Sequence, residues 1–186
     1  MANDGRALAY MDITEIPTAT TTAATGDWSV FFDTSTGSWS KENATGVISL
    51  TATDAITAAE HAGRLLYVTG TAAATYTLPA AGGTGDVYEF IIGEVNTNGT
   101  VIQVVNATDE FAGTLFQTDV DTSDTLISMP CLAADNFDTV TLNGTTKGGI
   151  VGDTIRFVDG AAGAWVISGH TNASGTVASP LSAAVS

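Results

Sequence analysis

Three groups of residues carry side chains that could do chemistry. The first is "AAGGTGD" (80–86), which has the glycine density of a phosphate-holding loop. Such a loop needs a Lys and a Ser or Thr after its last glycine, and a helix start that aims backbone N–H groups at the anion. Here Asp86 stands where the cation belongs, and alternating apolar residues from Val87 to Ile92 predict a strand behind it. The loop reads as a turn. The second group is "DVDTSD" (119–124), in which Asp119, Asp121 and Asp124 could offer oxygens to a calcium ion, with Asp109 and Glu110 as further donors. A calcium loop of the helix–loop–helix kind needs Gly at its sixth position and Glu at its twelfth, where this chain has Asp124 and Pro130. A solvated acidic loop is the expectation, with these three aspartates as the metal ligands if one binds. The third group is the lone Cys131 with the two histidines, His61 and His170. A thiol nucleophile needs a base within hydrogen-bond reach, and nothing in the sequence joins either histidine to Cys131. A buried, inert thiol is expected.

No G-x-S-x-G elbow occurs, and no His/Cys spacing suits zinc. Acids are too numerous for spacing to single out a hydrolytic pair. The expectation is a non-enzymatic chain without cofactor. Asn43, Asn98, Asn106, Asn143 and Asn172 head N-x-S/T triplets and read as turn asparagines. Trp165 alternates into a core, and Trp39, between two serines and near Lys41, is the tryptophan expected at a surface.

Composition narrows the partners. The 186 residues carry 5 Lys and Arg against 20 Asp and Glu, a formal charge of −15. No Lys or Arg lies between Arg64 and Lys147. Nucleic-acid affinity rests on basic residues neutralising phosphates, so DNA and RNA are not expected partners, nor is an anionic membrane surface. Only 13% of residues are charged, against roughly 25% in ordinary soluble domains. Thr, Ala, Gly and Ser take their place, and such a surface loses little side-chain entropy when it packs against other subunits. One cysteine permits no internal disulfide. The start "MANDGRALAY" lacks the basic and apolar regions of a signal peptide, and no run approaches the ~18 apolar residues of a membrane span, so a soluble product of the cytoplasm is expected.

The elements that would position these residues read as strands. Residues 1–26 form a separate segment: "LAYMDITEI" has apolar side chains for docking on a partner (Leu8, Tyr10, Ile13, Ile16), and "PTATTTAATG" is a low-complexity stretch suited to an extended arm. Residues 27–51 hold a predicted hairpin, "WSVFF" returning through "WSK", which either stands apart or joins the main domain at 52–186. Ile155 and Phe157 flank Arg156, Trp165 and Ile167 flank Val166, and Tyr88, Phe90 and Ile92 lie opposite Glu89. This two-residue period puts one face in a core. "LNGT" (142–145) and "VDGAAGAW" (158–165) predict hairpin turns. Thr57 and Glu60 fit a capping box closed by Gly63, enough for one helical turn. Short strands without intervening helices predict an all-β fold, an antiparallel, jelly-roll-like β-sandwich with an extended N-terminal arm and at most one short helical turn.

The segment 54–93 resembles one that recurs in tailed-bacteriophage virion proteins: I-T-x-x-E/D-H-x-G-R, a strand, T-x-T-L-P-x-A, a glycine turn, then an aromatic strand. The matching residues are Ile56, Thr57, Glu60, His61, Gly63, Arg64, Thr77, Leu78, Pro79 and Ala81. "GDTIRFVDGAAGAWVISG" (152–169) is similar to the closing hairpin of the same proteins, and 26–46 to short hairpins of tail and head appendages. The resemblance implies a capsid decoration (cement) protein, a homotrimer that clamps major capsid protein subunits at the capsid surface of the virion. A tail-fibre or appendage module that binds a host receptor or glycan is the alternative. The short chain without shaft repeats, the surface poor in charge and the distinct arm favour decoration. Leu8, Tyr10, Ile13, Ile16 and Trp39 are then the expected interface.

Overall fold

The computed structural model describes residues 29–33, 38–42, 46–121, 124–132 and 134–185. The arm at 1–26, with Leu8, Tyr10, Ile13 and Ile16, lies outside them. So does the Trp39 side chain, of which only the backbone is described. That backbone belongs to the predicted hairpin: β1 (Ser29–Asp33) pairs antiparallel with β2 (Ser38–Glu42), Trp39 opposite Phe32.

From Val47 the chain winds between two sheets. β3 (Val47–Leu50), β5 (Leu65–Val68) and β7 (Val87–Ile92) are parallel neighbours in a seven-stranded sheet. β4 (Asp54–Ala55), β6 (Ala74–Thr77) and β8 (Thr100–Gln103) are parallel neighbours in a five-stranded sheet. Each pass through one sheet is followed by a pass through the other, so the segment from β3 to β8 is three stacked coils. The remaining strands broaden the stack. β9 (Glu110–Asp119) and β10 (Thr125–Cys131) pair with each other, as do β12 (Thr154–Ala161) and β13 (Ala164–Ala173). The larger sheet runs β10-β9-β13-β12-β7-β5-β3. β11 (Thr139–Leu142) and β14 (Leu181–Ser182) complete the smaller one, β14-β11-β8-β6-β4.

Among the described residues the chain is strand-dominated with one short helical turn, as its residue pattern predicts. The antiparallel arrangement is corrected: among the described residues five of the eleven strand pairings are parallel, and both sheets are mixed. A parallel pair needs a crossover of a dozen or more residues. Here the crossover is a strand of the opposite sheet rather than a helix, which is why the lack of helices was no guide. Alternation survives because each strand still has one face inward. β3 belongs to the larger sheet, so that sheet begins upstream of residue 52. The "LNGT" turn is also different from expectation. Asn143 and Gly144 both donate backbone N–H to the Gly148 carbonyl, which closes a compact loop instead of joining two paired strands. The 158–165 turn does join paired strands, β12 and β13, with an irregularity between Asp159 and Ala161.

The sheets share one core. Tyr76 of β6 meets Phe90 of β7 at 5.9 Å between ring centroids, Phe90 meets Phe157 of β12 edge-on, and Phe157 meets Phe111 of β9 at 5.2 Å. Trp165 is fully buried against Tyr88, edge to face. Such pairs add ~0.5–1.5 kcal/mol each to the burial of the rings themselves. Phe157 touches rings on β7 and β9, whereas Phe116 on the opposite face of the same sheet is 42% exposed. Phe157→Ala is therefore expected to cost about 3–5 kcal/mol, and Phe116→Ala within about 0.5 kcal/mol, read from urea unfolding midpoints at constant m-value. Equal losses would contradict this assignment of core and outer face.

Candidate functional site

The glycine loop does close on an anion, and the anion is the chain's own. Gly82 N–H donates to both carboxylate oxygens of Asp159 at 3.0 and 3.1 Å, Gly83 N–H to Oδ1 at 2.6 Å, and Thr84 N–H and hydroxyl to Oδ2 at 3.1 and 2.9 Å. Three consecutive N–H groups turned to one side make an anion-binding concavity. Gly83 adopts φ +76, and a Cβ there would stand 3.2 Å from the Ala161 backbone, so the close approach to β12 requires glycine. Backbone bonds Gly85 N–H to Asp159 O and Asp159 N–H to Asp86 O, each 2.9 Å, complete the clasp. Burial pushes the Asp159 carboxyl up, but the N–H donors of Gly83, Thr84 and Gly82 and the Thr84 hydroxyl outweigh it and hold it below the ordinary aspartate value. The sequence sets the missing Lys, the following strand and the Asp86 charge against a phosphate; the geometry adds that an internal carboxylate, Asp159, occupies the concavity.

Three more aspartates are buried in the same service. Asp153, fully buried, accepts from Gly149 N–H, Ile150 N–H, Asn172 N–H and the Asn172 side-chain amide, all within 3.0 Å. Burial raises its carboxyl above the usual value against the pull of these donors. Asp138 accepts from the Thr139 hydroxyl and from Ala184 and Val185 N–H, which pins the end of the described chain to β11. Asp109 accepts from Ala81 N–H and the Asn106 amide, each at 2.9 Å. None of these roles was read from the sequence. A signal was present for two of the four: Asp153 accepts from Gly149 and Asp159 from Gly82 and Gly83, glycines that stand in the pairs Gly148–Gly149 and Gly82–Gly83.

The expected acidic cluster is not assembled as a cation site. Asp119 and Asp121 come together, but Asp121 N–H bonds Asp119 Oδ1 and Gly175 N–H bonds Asp121 Oδ2 at 2.7 Å. Asp124 takes a left-handed φ of +49, and residues 122–123 lie outside the described ones. Asp109 and Glu110 sit at the other end of β9, about 30 Å away for a ten-residue strand. They cannot join Asp119. Among the described residues, no group of three or more His, Cys, Asp and Glu is placed to hold a metal.

The arrangement nearest to catalytic machinery is Asp54–His61–Thr57. His61 is buried at the end of α1 (Ala58–His61), with Nε2 3.6 Å from Asp54 Oδ2 and Nδ1 3.5 Å from the Thr57 hydroxyl. A nucleophilic hydroxyl must donate to the imidazole lone pair. That lone pair already accepts Thr57 backbone N–H at 3.1 Å, and the Thr57 hydroxyl accepts Glu60 N–H at 3.3 Å. The trio is a capped turn: Thr57 caps as predicted, but His61, not Glu60, answers its N–H. Gly63 follows at φ +71, as the stop predicts.

Cys131 is buried, and burial first and the Asp135 charge second push its thiol up to about 11. His61 is bonded to Thr57 and His170 to Thr118, so neither is bonded to this thiol among the described residues. The Tyr88 hydroxyl is pushed up to about 12 by burial, then by Asp86 and Asp159, and has no hydrogen-bond partner among the described residues. Trp165 is core, as expected. Asn106 and Asn143 serve turns through their side-chain oxygens, while Asn172 lies within β13. No helix among the described residues is long and apolar enough to cross a membrane, which says nothing of spanning by strands. No protein-family model, curated protein or solved structure matches this chain.

Asp159→Asn puts an amide in place of an oxygen that accepts N–H bonds, so it should cost about 1–3 kcal/mol at neutral pH. A carboxyl held below its ordinary value of 3.8 stabilises the fold above that pH and loses the effect as pH falls through its folded value. The stability gap between wild type and variant should therefore be constant from neutral pH to about 5 and shrink below 3.8, in denaturant titrations across that range. A gap independent of pH would contradict the assignment.

Proposed function

We propose that this chain is a non-enzymatic structural protein of a tailed-phage virion. In this reading it is a decoration protein, synthesised in the host cytoplasm, that sits on the capsid surface and bridges major capsid protein subunits. The observation that carries the proposal is what the recurrent segment at 54–93 does. Ile56, Leu78 and Ala81 are buried, Thr57 and His61 lock the helical turn, and Ala81 N–H is tied to Asp109. The residues that carry the resemblance build a coil and present no reactive group, as suits a family whose shared trait is architecture.

The buried aspartates support the same reading, because they hold loops and do not converge on a substrate. The work of such a protein is adhesive. At ~25 cal/mol per Å², about 800 Å² buried per partner is a large gross gain, much of it offset by the costs of association. Repetition over a shell multiplies modest contacts through avidity. The homotrimer and the interface at Leu8, Tyr10, Ile13, Ile16 and Trp39 belong to this proposal.

Antibody labelling of purified particles should decorate the whole head, and deleting residues 1–26 should weaken capsid binding at least ~10-fold, about 1.4 kcal/mol. Equal binding of the full and shortened chains would remove the arm from the mechanism. Label confined to the tail would replace decoration with the receptor- or glycan-binding appendage.

A further inference from the structure

The outer face of the larger sheet is apolar over several strands. Register places its side chains in rows. One row is Ala112–Val166–Val158–Val87. The next is Thr114–Ser168–Arg156–Glu89–Leu65–Val47. A third holds Phe116, His170, Thr154, Ile91 and Tyr67. Val47, Phe116 and Val166 are 62%, 42% and 44% exposed. In the middle of these rows Arg156 and Glu89 face each other across β12 and β7. Among the described residues neither side chain makes an ion pair or a hydrogen bond. The other ionisable groups on this face are Glu110 at one end, Tyr67, and His170, which is bonded to the Thr118 hydroxyl at 2.7 Å.

We infer that this face is where two copies of the chain meet about a two-fold axis, with Arg156 of each copy against the partner's Glu89. A subunit of charge −15 repels its own kind over most of its surface. This face carries two acids and one Arg, so repulsion is weakest here. Its charge pattern also matches itself. An axis along the strands between β12 and β7 sets Arg156 against the partner's Glu89, Val158 against the partner's Val87, and His170 against the partner's Tyr67. An isologous contact needs that self-complementarity. Two sheets packed this way lie ~10 Å apart, and the six strands that overlap, about 4.8 Å apart by five residues, give a face on the order of 500 Å² in plane. Its accessible area is larger and approaches the ~800 Å² per partner of a stable interface. The contact stands apart from the capsid reading: it gives a dimer by itself, or joins one trimer to the next.

Charge reversal tests it on the full chain, with mass followed by analytical ultracentrifugation over a concentration series. Arg156→Glu alone and Glu89→Arg alone should each weaken two-fold association at least ~10-fold. The double variant should restore it. An equimolar mixture of the two single variants should associate as well, since each supplies the charge that the other lacks. Both positions face outward, and unchanged thermal unfolding of the single variants at dilution confirms that they fold. A wild type of single-copy mass at every concentration would overturn the inference. So would single variants that associate like wild type, or a mixture that stays apart.

Discussion

Backbone N–H groups closing on buried carboxylates are the interaction on which the rest of this structure depends. A chain that coils between two sheets must turn at the end of every strand, and each turn leaves N–H groups without a ladder partner. Asp109, Asp138, Asp153 and Asp159 supply the missing acceptors, each 4% exposed or less. With 20 acids and 5 Lys and Arg in the chain, arginine clamps are scarce. Amide donors work against the desolvation of the carboxylates instead, outweighing it at Asp159 but not at Asp153, and hydrogen bonds to an ionised acceptor are about twice as strong as neutral ones. Asp159 ties β12 to the loop before β7, Asp153 ties the loop after β11 to β13, Asp138 ties the chain end to β11, and Asp109 ties the start of β9 to the loop after β6. Every sheet-to-sheet transition late in the chain passes one of these anchors.

The sequence made local structure legible and long-range pairing illegible. Alternation at Tyr88–Phe90–Ile92 and at Ile155–Phe157 marked the inward faces, because period two reports burial whatever the direction of the neighbouring strand. Thr57 and Gly63 marked the helical turn for the same local reason. Strand direction is set by where the chain goes between partners. Leu65 pairs with Glu89, 24 positions on, after an excursion through β6 that carries no directional signature. The aspartate anchors were hidden because an acid's side chain has the same chemistry in a turn at the surface and beneath one. Asp119 and Asp159 look alike until the fold sets one at a strand end and the other under Gly82 and Gly83. The glycine pairs were visible, but their carboxylates lie 4 to 77 positions away.

Inward-turned acids and an outward apolar face together suit a protein whose work is contact. The groups that could have done chemistry are held in place by backbone: Asp159 by the glycine loop, His61 by the Thr57 amide, Cys131 by burial as a thiol. On the outer face the opposite holds, since Arg156 and Glu89 make no ion pair or hydrogen bond among the described residues and Val47, Phe116 and Val166 meet solvent. The proposed adhesion to a shell and the inferred contact with a second copy would draw on the same economy of charge.

The carboxylate anchors are tested most directly by NMR titration of the aspartate carboxyl carbons in the folded protein. The Asp159 resonance should titrate below the ordinary 3.8, and the Asp153 resonance above it, with the amide signals of Gly82, Gly83 and Thr84 following Asp159. An Asp159 midpoint at or above 3.8, or loop amides that ignore it, would mean that the glycine loop is held by something other than this carboxylate.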